Sequence, residues 1–292
     1  MEEPFEFHIR PVRPDEIPLL LDIRLSMGYL CAESLLETLL TLDPDGFLVA
    51  VKQSGEVCGG CAIVKLNKTL AYVGFWGIQH KYRDSPLAKE LVTKTMRRVQ
   101  DMNVMLRSSR GSVRDMQLGG LFPHVSDHLF HRVGPGLPQL TDLPVALDGT
   151  RVVNFDEGIH LDRVSWYTTD IMKTQMHDYF RCLSEEKGLI FKLAFEHDAL
   201  CGMGTIQRDI GGAALVRHVF AQRPEVARLI LRNLVESFPL ATQVGVVMVC
   251  TTVHFKDQPL LYTNMDLEPK RNIAICFSKK EVPFDYSRIF VL

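Results

Sequence analysis

The stretch LAYVGFWGIQHKYRDSPLAKELVTKTMRRVQD, Leu70 to Asp101, sets the architecture of the chain around it. It opens on an apolar run, Ala71, Tyr72, Val73, Phe75, Trp76 and Ile78, too short to span a bilayer and suited to a buried strand. Gly74 and Gly77 interrupt that run. Glycine weakens a strand, so the pair predicts a bulge or the close approach of a ligand or second backbone, and a ligand lying along the strand accounts for both. After Ile78 a polar turn, Gln79 to Ser85, leads into a helix in which Ser85 suits the cap and Pro86 the first helical position. Leu87, Leu91, Val92, Met96 and Val99 recur at helical spacing and form one apolar face. Strand, polar turn and helix aim backbone N–H groups and a positive helix end at a phosphate, and Arg83 adds a full charge there.

The chain's 292 residues allow one large domain or two ordinary ones, and 46% hydrophobic with 23% charged residues is a globular composition. A net charge of -2 and a pI near 6.6 give no general attraction to nucleic acid or anionic membranes, so neither is an expected partner. Met1 to Phe7 is acidic and lacks the basic-then-apolar progression of a secretory signal, which predicts a soluble, cytoplasmic protein. Seven cysteines, Cys31, Cys58, Cys61, Cys182, Cys201, Cys250 and Cys276, lie mostly in apolar stretches and suit reduced core thiols. Cys58-Gly-Gly-Cys61 has the spacing of a redox pair or half a zinc site, but no second Cys/His pair with ligand spacing accompanies it. The expectation is a hairpin strand carrying two thiols, with no metal.

Upstream, Phe5 to Val12 alternates as a first strand, and Pro14, Asp15 and Glu16 open a helix carrying Ile17, Leu20, Leu21 and Leu25. A second helix is predicted over about Ala32 to Leu42, then a hairpin of Phe47 to Lys52 and Val57 to Leu66. Asn103 to Arg107 is the strand expected after the Leu87 helix.

Within IQHKYRDSPLAKEL, the order Ile78, Arg83, Pro86, Ala88 resembles the acetyl-CoA signature of the GNAT superfamily of N-acetyltransferases, V-x-P-x-x-R-x-x-G-x-G/A. Arg83 falls on the family's arginine, Ala88 on its final small residue and Ile78 on the strand valine; Pro86 replaces a glycine and removes one N–H. The resemblance implies that acetyl-CoA, the expected cosubstrate, is bound by Trp76, Gly77, Ile78, Arg83, Asp84, Ser85, Pro86, Leu87 and Ala88. It also implies that the loop between the first two helices lines the acceptor pocket, which makes Tyr29 a substrate contact. The position where members of the superfamily carry a Glu or His base is Tyr72, and His80 is the second catalytic candidate. Val113 to His131 resembles the last helix of that fold, but Met116 stands where a tyrosine often serves as general acid.

Gly134-Pro135-Gly136-Leu137-Pro138, with the polar sequence to about Thr150, is the expected linker. Beyond it a helix is predicted near Asp170 to Leu183, strands over Leu189 to Phe195, Gly202 to Gln207 and Ala214 to Phe220, a helix over Pro224 to Glu236 and a strand over Val244 to Cys250. That order repeats the first half. The fragments CGMGTIQRD, VRHVFAQRPEVARLILRNL and RNIAICF resemble the C-terminal domain of YitH/HolE-type tandem GNAT proteins, including nematode members, where the second domain is degenerate.

The implied architecture is α/β with a mixed sheet in tandem GNAT-like domains: 1–135 with the acetyl-CoA site, linker 136–150, and 151–292 degenerate. His218 is the contact expected from the second half to a small-molecule amine, with Tyr262, Phe255 and Asp266 as further contributors. Acetyl transfer to that amine is the expected activity. A non-catalytic acyl-CoA-binding protein and a protein lysine acetyltransferase are the alternatives, and a Cys58/Cys61 redox or zinc module is a third.

Overall fold

The computed structural model describes residues 6–109, 119–141, 143–257 and 269–292, without the side chains of 255–257 and 269–271. Met116, Tyr262 and Asp266, and the side chain of Phe255, lie outside the described residues. The chain divides into two compact units, Met1–Leu106 and Arg107–Leu292.

In the first unit, β1 (Phe7–Pro11), β2 (Phe47–Lys52), β3 (Val57–Lys65), β4 (Leu70–Ile78) and the start of β5 (Asn103–Ser109) follow one another in sheet order. Every pairing is antiparallel except β4 with β5, which is parallel. A 3-10 turn at Pro14–Glu16 leads into α1 (Ile17–Ser26), followed by α2 (Leu35–Leu42); α3 (Leu87–Arg97) comes after β4. Successive strand residues face opposite sides of a sheet. The Cys61 thiol hydrogen-bonds Thr95 of α3, whereas a Cβ on neighbouring Gly60 would meet Leu20 of α1 at 3.0 Å, so α1 and α3 cover opposite faces. Coverage of both faces explains why β3 reads as an almost unbroken buried run.

The glycines of β4 make room for this packing. A Cβ on Gly74 would lie 2.6 Å from Leu39 Cδ1 of α2, and one on Gly77 would lie 2.9 Å from Phe75 Cζ and 3.1 Å from Ile23 Cγ2 of α1. Gly74 is also the extra residue of a bulge, since Ala62 pairs with Phe75 and Ile63 with Val73. The helix entry differs too: Pro86 occupies the cap position of α3, and the Ser85 hydroxyl donates to the Tyr82 carbonyl at 2.7 Å instead of capping.

The second unit holds β6 (His124–Gly136), β7 (Thr150–Asn154), α4 (Glu157–Met172), α5 (His177–Ser184), β8 (Ile190–Glu196), β9 (Ala199–Arg208) and β10 (Ala214–Ala221). It continues with α6 (Pro224–Ser237), α7 (Leu240–Val244), β11 (Val246–Thr251), α8 (Thr252–Asp257), β12 (Pro269–Phe277) and β13 (Ile289–Val291). Its strands run in the order β12-β6-β11-β13-β10-β9-β8-β7. The single helix expected near Asp170 is two, α4 and α5, separated at Lys173 with φ +49°. Gly134, Pro135 and Gly136, expected in or beside a linker, end β6. Because β6 pairs with β11 and β12 from later in the chain, its contacts place it in the second unit.

Two copies of one strand pattern are visible in the hydrogen bonds. Gln79 N–H donates to the Cys58 carbonyl at 2.9 Å, and Gln222 N–H donates to the Cys201 carbonyl at 2.9 Å. Each sits just beyond a strand, β4 or β10, with a bulge five residues earlier, at Gly74 or Arg217. Each of those strands has a parallel partner on its other side, β5 or β11.

Candidate functional site

The parallel ladder between β4 and β5 has three rungs, Leu70 with Asn103, Ala71 with Val104 and Tyr72 with Met105. β4 runs on to Ile78 beyond the last of them, so the two strands form a fork that is closed at Tyr72 and open at Ile78. In an antiparallel ladder, hydrogen-bonded and non-bonded pairs alternate. The Gln79 to Cys58 bond fixes the phase: Gly77 and Phe75 bond toward β3, and the N–H and C=O groups of Ile78 and Trp76 face the fork.

Both of those carbonyls are met by arginines. Arg24 Nη1, from α1, donates to the Trp76 carbonyl at 3.1 Å, and Arg83 Nε lies 3.5 Å from the Ile78 carbonyl. The Arg24 guanidinium also lies 4.6 Å from the centre of the Tyr29 ring and 5.8 Å from that of Phe75. Tyr29, the expected substrate contact, is thereby tied to the strand edge at Trp76. Arg24 was not a sequence candidate; its one signal is a lone arginine in the apolar helix IPLLLDIRLS.

The turn from β4 to α3 carries charge at the open end. Lys81 pairs with Glu56 at 2.6 Å and the Tyr82 hydroxyl donates to Glu56 at 3.0 Å. The Lys81 ammonium holds the Glu56 carboxyl below its ordinary range. Arg83 is exposed and pairs with no carboxylate among the described residues. No side chain caps α3, so its first-turn N–H groups, at Leu87 and Ala88, are open to an anion. This set fits a pyrophosphate: one unpaired guanidinium, an uncapped helix start, and a strand edge running away from both. Pro86 contributes no N–H, the Ser85 hydroxyl is engaged at Tyr82, and Asp84 is exposed in the same turn.

The two catalytic candidates are not brought together. Tyr72 is half-buried at the closed end of the fork and His80 is exposed in the 3-10 turn after β4, eight residues or about 26 Å apart at strand rise. Each is about 13 Å of backbone from Trp76, which lies midway. His218 lies in the core of the second unit, its Nδ1 2.9 Å from Thr205 Oγ1 and its Nε2 3.3 Å from the Tyr179 hydroxyl. Burial, then the charges of Arg217 and Arg107, push its pKa well below the ordinary histidine value. All seven cysteines are free and buried, and burial pushes the Cys61 thiol up to about 12 and raises that of Cys58. Among the described residues, neither thiol belongs to a group of three or more His, Cys, Asp or Glu placed to hold a metal ion.

In the second unit the equivalent fork is filled. β10 and β11 pair from Ala214 with Val246 to Val216 with Met248, and β13 then inserts, with Val291 pairing to Val219 and to Cys250. Only Gln222 and Arg223 separate β10 from α6, and Arg223 is paired with Glu196, so no free charged turn corresponds to Gln79–Pro86.

No protein-family model and no curated protein sequence matches this chain. Solved structures match over its whole length. A putative acetyltransferase from Pyrococcus horikoshii is 16% identical with a TM-score of 0.76, over 100% of this chain and 96% of that one. A GCN5-related N-acetyltransferase from Sphaerobacter thermophilus is 16% identical with a TM-score of 0.62, over 96% of both chains. The fold is the tandem GNAT fold. A tandem GNAT protein from the clavulanic acid biosynthesis pathway shares it at 14% identity and a TM-score of 0.62, over 93% of this chain and 98% of its own. The GNAT resemblance of the Ile78–Ala88 signature thus coincides with the GNAT architecture around it.

Proposed function

We propose that this protein transfers an acetyl group from acetyl-CoA to a primary amine of a small molecule, using the fork of its first unit. The observation that carries this reading is the fork itself: the polar groups of Trp76 and Ile78 face it, and exposed Arg83, with no carboxylate partner among the described residues, stands at its mouth. Acetyl-CoA, when bound, supplies the activated thioester. Arg83 and the α3 start hold its phosphates, and the Ile78 edge of β4 holds the pantetheine amides. Trp76 N–H is the donor for the carbonyl oxygen that gains negative charge during transfer. Tyr29 and Arg24 form the wall facing the acceptor.

Neither Tyr72 nor His80 reaches Trp76 directly, so a proton moves between them and the reacting groups through water. Holding two substrates side by side supplies much of the acceleration. Transfer is direct, and no cysteine takes part. The resemblance of CGMGTIQRD, VRHVFAQRPEVARLILRNL and RNIAICF to YitH/HolE-type tandem proteins supports assignment to that subgroup.

A second reading, acyl-CoA binding without transfer, is favoured by the same distances, because neither Tyr72 nor His80 stands beside Trp76. Calorimetric titration with acetyl-CoA, followed by a thiol-release screen across small amines, separates the two. Saturable binding with amine-dependent release supports transfer. Binding without release across the screen supports the second reading, and absence of binding overturns both.

A further inference from the structure

The Arg24 guanidinium is half-buried beside Trp76 and pairs with no carboxylate among the described residues. Its Nη1 is used by the Trp76 carbonyl, its face lies against Tyr29, and its Nε–H is buried without an acceptor among the described residues. A half-buried cation with no paired carboxylate is stabilised by an anion that reaches its guanidinium. Every other contact of Arg24 holds it in place rather than neutralising it.

We propose that Arg24 is the specificity-determining residue for the acceptor, and that it recognises a carboxylate carried next to the reacting amine. This rests on the acetyl-transfer reading above. The N–H and C=O of one residue on a strand edge point the same way. An amine attacking a carbonyl held at Trp76 N–H therefore lies within a bond or two of a group bound to the guanidinium held at Trp76 C=O. An α-amino acid has that spacing. Arginine pairs with carboxylate and phosphate alike, but a phosphate dianion calls for a second cation, and among the described residues Arg24 is the cation found against both Trp76 and Tyr29. A monoanion is the matching charge. Tyr29, on the guanidinium's face, limits the side chain that can follow the carboxylate.

The test uses the full chain saturated with coenzyme A and pairs of amines that differ only in the α-carboxylate. L-Leucine is set against isopentylamine, L-phenylalanine against phenethylamine, L-serine against ethanolamine, and L-arginine against agmatine. Each member is titrated calorimetrically into the wild type, Arg24→Gln and Arg24→Lys. The expected result is at least tenfold tighter binding of the carboxylate member in one or more pairs. That ratio falls to near one in Arg24→Gln and is partly kept in Arg24→Lys. Each ratio is taken within one protein, so altered stability or coenzyme affinity of a variant does not move it. Three results overturn the proposal: no binding by any carboxylate member, equal affinity within every pair, or a preference that Arg24→Gln leaves intact. Failure of coenzyme A itself to bind counts against the transferase reading instead, and the same pairs titrated alone still decide the role of Arg24.

Discussion

Val291 pairs with Val219, and Val219 holds in the second strand copy the place that Trp76 holds in the first. Both residues stand three before the glutamine that locks its strand to the hairpin, and both turn their backbone groups away from that hairpin. At Trp76 those groups meet a fork; at Val219 they meet the chain's own last strand. One fold is thus present twice with one edge available.

The first prediction is a stoichiometry. Acetyl-CoA binds at one site per chain, because β13 already occupies the second fork. Calorimetry is expected to give a ratio of one, and two equivalent sites would refute the filled-fork assignment.

The same strand is structural. Ile289, Phe290 and Val291 are fully buried, and the Phe290 ring stacks on His254 with centroids 3.7 Å apart. Phe290→Ala is expected to lower unfolding free energy by about 3–5 kcal/mol. A shift in the urea midpoint checks this, and a loss under about 1 kcal/mol contradicts a packed β13.

Much of the first unit was legible because its signals are local. Alternation marked β1, apolar runs bounded by turn residues marked β2, β3 and β4, and helical spacing marked α3. Three features were not legible, each because it depends on distant partners. The tail Asp285 to Phe290 reads as a terminal strand, but the place of β13 in the sheet is set by partners that lie far back in the sequence. α4 leaves Ile159 and Trp166 exposed, so its apolar residues do not collect on one face and its true length was hidden. Glycines in β4 signal close approach, but sequence alone does not distinguish a ligand from Leu39 and Ile23.

That distinction is testable at Gly74. A methyl group there would stand 2.6 and 2.8 Å from the two terminal carbons of buried Leu39. Gly74→Ala is expected to cost about 1–3 kcal/mol through overpacking. In a double-mutant cycle with Leu39→Ala the two changes are expected to be less than additive, since removing the Leu39 side chain makes room for the methyl. Strict additivity would place the clash elsewhere.

Charge at the mouth of the fork sets the next prediction. Arg83 is exposed and has no carboxylate partner among the described residues, so Arg83→Glu removes a favourable charge and installs a repulsive one without emptying any core site. Acetyl-CoA affinity is expected to fall at least tenfold while the urea midpoint stays within the error of measurement, and raising salt should narrow the gap between wild type and variant. Equal affinities would sink the phosphate-site assignment.

The last prediction concerns pH and His218. Its folded-state pKa is depressed by burial and by Arg217 and Arg107, whereas the unfolded chain titrates near the ordinary value of about 6.5. Below that value the unfolded state takes up a proton that the folded state refuses. Stability is therefore fully present above about pH 6.5 and declines as pH falls toward the folded-state pKa. Replacing His218 with Gln, which keeps polar atoms for Thr205 and Tyr179, is expected to flatten the urea-midpoint profile between pH 7 and pH 5. In the native protein, the His218 ring resonances should stay at their neutral-imidazole positions over that interval. A ring that titrates at its ordinary value would instead mark His218 as solvent-connected and return it to the list of residues able to meet a substrate.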